Sequence, residues 1–133
     1  MRAFVLSVLL TTLVACDHTV RSIYPTRDDA EKAHAIERGW IPSALPPSSK
    51  NIEVAHDPDS NSGNGGFDFD PSDSTVLRRH LSYVPRDELE DVIRQFAILK
   101  RLEQHGFYQF EDFFLAVDWE NSKGKFYLRH RPR

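Results

Sequence analysis

The amino-acid sequence predicts an α+β domain, a small antiparallel sheet of about four strands with two to three helices on one face, ending in a β-hairpin. Three patterns carry this expectation. Phe113, Leu115, Val117 and Trp119 alternate in steps of two, and so do Phe126, Leu128 and His130, with Asn121-Ser122-Lys123-Gly124 between them as the turn. Leu89, Val92, Ile93, Phe96, Leu99 and Leu102 recur at helical spacing. Shorter alternating runs near residues 52 and 67 add strands on the N-terminal side.

The elements follow in chain order. Residues 3 to 15 are apolar apart from Ser7, Thr11 and Thr12, and they follow Arg2, which is the length of an export signal and too short for a membrane span. The run ends in Leu13-Val14-Ala15-Cys16, which resembles the lipobox of bacterial lipoproteins. That resemblance implies cleavage of residues 1–15, lipid on the Cys16 thiol, and a short tether over 16–21 of about 20 to 25 Å. A cysteine at the end of an export signal, with no other cysteine in the chain, has no disulfide to form and suits that role.

Residues 22–133 read as a single globular unit, since neither a repeat nor a composition boundary divides them. Thr26 and Asp29 form a capping pattern for a helix over 27–38, closed by Gly39, with Trp40 and Ile41 folding back onto the core. Three prolines between Pro42 and Ser49 preclude regular structure. Ile52 and Val54, then Phe67 and Phe69, mark two short strands, and the Gly- and Asn-rich stretch between them reads as a loop. Ser74–Leu81 reads as a short helix. Pro85, Asp87 and Glu88 open the longer helix that ends before Gly106.

Charge narrows the partners. Seventeen basic residues stand against twenty acidic ones, and without Arg2 the part after Cys16 carries a net −4, which argues against nucleic acid. The one basic cluster is Arg129-His130-Arg131-Pro132-Arg133, where Arg129, Arg131 and Arg133 could meet anionic head groups at about 1 kcal/mol per cation. The competing role is a charged edge that discourages strand-to-strand aggregation. Asp17 resembles the inner-membrane retention signal of enteric-type lipoproteins. This favours the periplasmic face of the inner membrane and leaves the outer membrane open.

Asp57, Asp59 and Asn61 recur at the every-second-residue spacing that wraps oxygens around Ca²⁺, with Asp68 as the twelfth position. The pattern is partial. Ser62 stands where glycine is required, Asp68 replaces Glu, and the bland alternative is a loop that uses Asp, Asn and Gly for its turns. Six histidines form no His-Glu-x-x-His motif, and no serine lies in a Gly-x-Ser-x-Gly elbow. His56 beside Asp57 is a formal acid–base pair, but a surface histidine bonded to its neighbour is the commoner case.

The block Gly39-Trp40-Ile41-Pro42, Leu45-Pro46-Pro47-Ser48-Ser49 and Asn51-Ile52 through His56-Asp57 to Asn61 resembles small bacterial proteins of the YbbD head domain group. The resemblance implies coverage of about residues 22–131 and no transferable catalytic residue. Taken together, the expectation is a membrane-anchored envelope lipoprotein that acts as a non-enzymatic interaction module, with a protein or envelope component as partner and no cofactor beyond the lipid. A module that binds calcium or another metal through the 57–68 loop and a small hydrolase with an unrecognised site are the alternatives.

Overall fold

Ile52, Val54 and His56 alternate with Asn51, Glu53 and Ala55, and this period of two puts one set on a buried face and the other towards solvent. The same rule organises the rest of the computed structural model, which describes residues 18–85, 87–88 and 106–128. The strands are β1 (Val20–Thr26), β2 (Lys50–Asp57), β3 (Ser62–Asp68), β4 (Ser82–Tyr83), β5 (Gly106–Phe110), β6 (Phe113–Asp118) and β7 (Lys123–Leu128). Helix α1 (Arg27–Lys32) follows β1, and a 3₁₀ turn (Pro71–Asp73) leads into α2 (Ser74–His80).

All seven strands form one antiparallel sheet in the order β1-β2-β3-β7-β6-β5-β4. The described fold is therefore mostly β, which corrects the expected α+β layout of about four strands under two or three helices. Three strands are added to those expected. β1 takes up Val20 and Arg21, inside the stretch read as tether, β5 pairs with β6 from Gly106↔Val117 to Phe110↔Phe113, and β4 pairs with β5 at Ser82↔Gln109 and Tyr83↔Tyr108. The expected strand at Phe67 is also longer, since β3 takes up the Gly- and Asn-rich run read as a loop.

Helix α1 is shorter than its sequence signal. Thr26 caps it as expected, accepting from Asp29 N while the Asp29 carboxylate accepts from Thr26 N at 3.2 Å. The helix ends at Lys32 because His34 adopts φ +60°, and turns carry the chain through residues 33–39. Trp40 and Ile41 fold back as expected, and Ile41 is fully buried. The proline-rich stretch 42–49 holds no regular element, and α2 lies where the short helix was expected. The long helix expected up to Gly106 falls largely on residues outside the described set.

The largest core cluster lies on one face of the sheet, while Phe107, Phe114, Ala116 and Tyr127 on the opposite face, over β5, β6 and β7, are buried as well. In the cluster, Ile52, Val54, Phe67, Phe113, Leu115, Val117, Phe126 and Leu128 pack beneath Ala30, Ala35, Ile41, Leu45, Phe69 and Leu77. At about 1.5–3 kcal/mol for each large side chain withdrawn from water, this layer drives folding. Two glycines give the sheet its fit. A Cβ on Gly124 would run into the Phe67 ring, and one on Gly65 into the Phe126 ring and the Glu53 carbonyl. Each ring thus lies over the bare backbone of the neighbouring strand, as Phe67↔Gly124 and Gly65↔Phe126 pairing dictates. A β-bulge at Asn51 (φ +50°), where two β2 residues oppose Phe67, keeps Ile52 facing the core.

Candidate binding face

The candidate oxygen ligands are divided by the hairpin that carries them. Asp57 pairs with Ser62 beside the β2–β3 turn, whereas Asp68 pairs with Lys50 at the far end of the same two strands. The six residue steps from Ser62 to Asp68 correspond to about 20 Å. The structure therefore does not bring Asp68 to Asp57, Asp59 and Asn61.

Each carboxylate has local work instead. Asp57 accepts from Ser60 Oγ at 2.9 Å and from Asp59 N at 2.9 Å, and these bonds, the Ser60 hydroxyl foremost, hold its carboxyl below the ordinary aspartate range. Asn61 supplies the left-handed residue of the turn at φ +49°. Asp59 Oδ2 lies 2.6 Å from His18 Nδ1. Asp68 accepts from Asn51 Nδ2 at 3.0 Å and from Lys123 Nζ at 2.9 Å, and Asn51 first and then Lys123 lower its carboxyl. Among the described residues no group of three or more His, Cys, Asp or Glu is placed to hold a metal ion.

His56 departs from the expected surface pair with Asp57. Alternation turns it onto the core face while Asp57 turns away, so the imidazole is 4% exposed and stacks on Trp40 with centroids 4.7 Å apart. Neither ring nitrogen has a hydrogen-bond partner among the described residues. The ring is held by packing and offers no route for acid–base work with Asp57. Cys16, Arg129, Arg131 and Arg133 lie outside the described residues. Among those described, no helix is long and apolar enough to cross a membrane.

The surface that the structure does assemble is the outer face of the sheet. Strand pairing lines up Arg21, Ala55, Asn64 and Tyr127 in one row and Ile23, Glu53, Gly66 and Lys125 in the next. Small residues Ala55 and Gly66 form a floor between taller neighbours, leaving a groove of about 400 Å³. A second groove of about 330 Å³ shares Glu53, Gly66 and Lys125 and continues towards Asp68, Lys123 and Asp118.

Arg21, Glu53 and Lys125 are exposed at the groove and have no ion-pair partner among the described residues, whereas Lys123 is matched by Asp68. Burial raises the Tyr127 phenol above its usual range. Sequence reasoning missed this face, because Gly66, which completes the floor beside Ala55, comes from the stretch read as loop. The pairing of Gly66 with both Glu53 and Lys125 has no local signal.

Residues 18–68 match the family model of the YbbD head domain. The match is narrower than the expected 22–131. It spans β1, α1, the proline-rich turns, β2 and β3, which is the part of the sheet that supplies Arg21, Ile23, Glu53, Ala55 and Gly66 to the groove. No curated protein and no solved structure matches the chain.

Proposed function

We propose that the protein is a non-enzymatic binding module of the bacterial envelope, held at a membrane by lipid on Cys16, and that it engages a protein partner through the outer-face groove. The observation that carries this reading is a set of charges, Arg21, Lys125 and Glu53, unmatched among the described residues and standing around a floor of Ala55 and Gly66. Charges left unpaired beside small residues leave room and valence for a partner that presents carboxylates to the two cations and a cation to Glu53. Among the described residues the groove is lined by one carboxylate and no histidine or cysteine, which suits recognition better than general acid–base or nucleophilic chemistry.

The test is a site-specific photo-crosslinker in the full acylated chain in membranes, placed at Ala55 in the groove or at exposed Arg79 on α2. A discrete adduct from position 55 and none from position 79 is expected. Lys125→Glu should reduce the adduct about tenfold, the equivalent of about 1.4 kcal/mol. Equal adducts from both positions, or an adduct indifferent to Lys125→Glu, would remove the groove from the account. Turnover of an envelope substrate, lost on changing Glu53, would replace binding with catalysis.

A further inference from the structure

We infer that the free edge of β1 pairs antiparallel with β1 of a second copy of this chain, joining two sheets into one across a two-fold axis. The inference rests on the reading of the outer face as a protein-binding surface, and it names the partner that answers Arg21 and Glu53.

The two edges of the sheet are unlike. β4 forms one edge with two residues, and so short a strand gives a foreign strand little to pair with. β1 forms the other with seven residues, Val20 to Thr26, whose backbone groups point alternately into the sheet and out of it. Arg27 N donates to Ser49 O at 3.0 Å, and these two residues continue the register that runs from Val20↔His56 to Thr26↔Lys50. The odd-numbered residues of β1 therefore carry the bonds to β2, and the N–H and C=O groups of Val20, Ser22 and Tyr24 point away from it. Among the described residues no strand pairs with that side. The devices that usually guard an edge are missing as well. β1 has no lysine and no bulge against β2, and Pro25 is odd-numbered, so the donor it lacks would have faced β2. Val20 and Ile23, both apolar, are 45% and 72% exposed on this strand.

Charge selects a second copy as the occupant and fixes the register. With Ser22 of one copy opposite Ser22 of the other, the outward amides of both strands bond to each other, and Arg21 of the second copy falls opposite Ile23, whose other neighbour is Glu53. That arginine and Glu53 then stand about 10 Å apart between Cα atoms, across one hydrogen-bonded and one non-hydrogen-bonded pair. The two long side chains close this span over Ile23 and cover it with their methylene stems. The two-fold axis repeats the arrangement, so the Arg21 and Glu53 of each copy, which have no ion-pair partner among the described residues, form two ion pairs between the copies. On the core face the same register sets Val20 opposite Tyr24. Centring the pair on Arg21 instead sets like charges side by side, and centring it on Ile23 sets Arg21 against Pro25 and leaves Glu53 unanswered. Lys125 lies on β7, the fourth strand from this edge, and the groove beside it stays open in the pair.

The test is sedimentation equilibrium of the full chain in density-matched detergent, for the unchanged protein and for Arg21→Glu, Glu53→Arg and R21E/E53R. A dimer is expected. Each single reversal should raise its Kd about tenfold, because the two-fold axis spoils two pairs at once, and the double variant should return to within about threefold of the original. Ser22→Pro removes an outward N–H at the axis and none that β2 uses, so it should abolish the dimer while the thermal melt stays cooperative; if it fails to fold, the reversals on the exposed outer face decide. A chain that is monomeric at every concentration, a dimer indifferent to the reversals, or a double variant no better than the singles overturns the second copy. A monomer that still gives a Lys125-dependent adduct from position 55 does so while leaving the groove to a different protein. The charge-dependent dimer, found together with equal adducts from positions 55 and 79, retains the second copy and removes the groove's further occupant.

Discussion

Gly124→Ala tests the fit between glycine and aromatic ring most directly, because the sign of its effect is at stake. In a strand with open space above it, replacing glycine by alanine stabilises by about 0.5–1 kcal/mol, since the unfolded chain has less freedom to lose. At Gly124 the new methyl would overlap the Phe67 ring. That ring cannot swing aside cheaply. It is 3% exposed and has Phe69 at 5.9 Å and Phe126 at 6.3 Å between centroids. Overpacking of this kind costs about 1–3 kcal/mol, so the net expectation is a loss of about 1–2 kcal/mol.

Gly66→Ala is the internal control, since its Cβ would meet only the Gly124 carbonyl oxygen at 3.4 Å on the outer face. It should be neutral or mildly stabilising. Urea denaturation of both variants, and of Gly124→Ala combined with Phe67→Leu, gives the coupling. Shortening the ring should recover about 1 kcal/mol of the Gly124→Ala loss, within the range seen for touching residues. A stabilised Gly124→Ala, or strictly additive double-variant energies, would refute the placement of Phe67 over Gly124.

Three further outcomes follow from the same geometry. Asp68 has a depressed carboxyl, so its contribution is present above the unfolded value near 3.8 and is lost as pH falls through the lower folded value. Asp68→Asn should therefore be less stable than wild type at pH 7, with the gap in urea midpoints narrowing by pH 3, and a constant gap would contradict the assignment. His56→Phe keeps a ring on Trp40 and removes two buried nitrogens that have no partner among the described residues, which should raise stability by about 1 kcal/mol in thermal melts; a loss of that size would show that the imidazole is bonded. Millimolar Ca²⁺ should leave Tm unchanged, because Asp57 and Asp68 mark opposite ends of one hairpin, whereas a ligand at a hundred times its Kd would add about 2.7 kcal/mol.

The parts of the fold that could be read from sequence are those set by neighbouring residues. The Asn121–Gly124 turn and the alternation on both sides of it announce the β6–β7 hairpin, and Thr26 with Asp29 announces the start of α1. The end of α1 was not legible, since Ala33 to Arg38 are acceptable helix residues and the left-handed turn at His34 is a tertiary outcome. β1 was obscured because Arg21, Ser22 and Pro25 leave only Ile23 and Tyr24 as a visible apolar pair. The strand exists because β2 offers it a partner from Val20↔His56 to Thr26↔Lys50.

The Ser62–Gly66 segment shows why the candidate site was hidden along with the sheet. Judged locally, a run of Ser, Gly, Asn, Gly and Gly has little β propensity and no side chains to bury, and it reads as a loop. Its strand character is supplied from outside: Phe126, some sixty residues later, lies over Gly65 and fills the space that a side chain would otherwise take. The absence of a side chain has the opposite consequence on the other face, where Gly66 between Glu53 and Lys125 leaves a floor low enough to form the groove. The same low-propensity segment thus demands a distant aromatic residue for stability and creates the concavity proposed for binding. Filling Gly66 with a larger side chain should close the groove without disturbing the core, because only the outer face loses space.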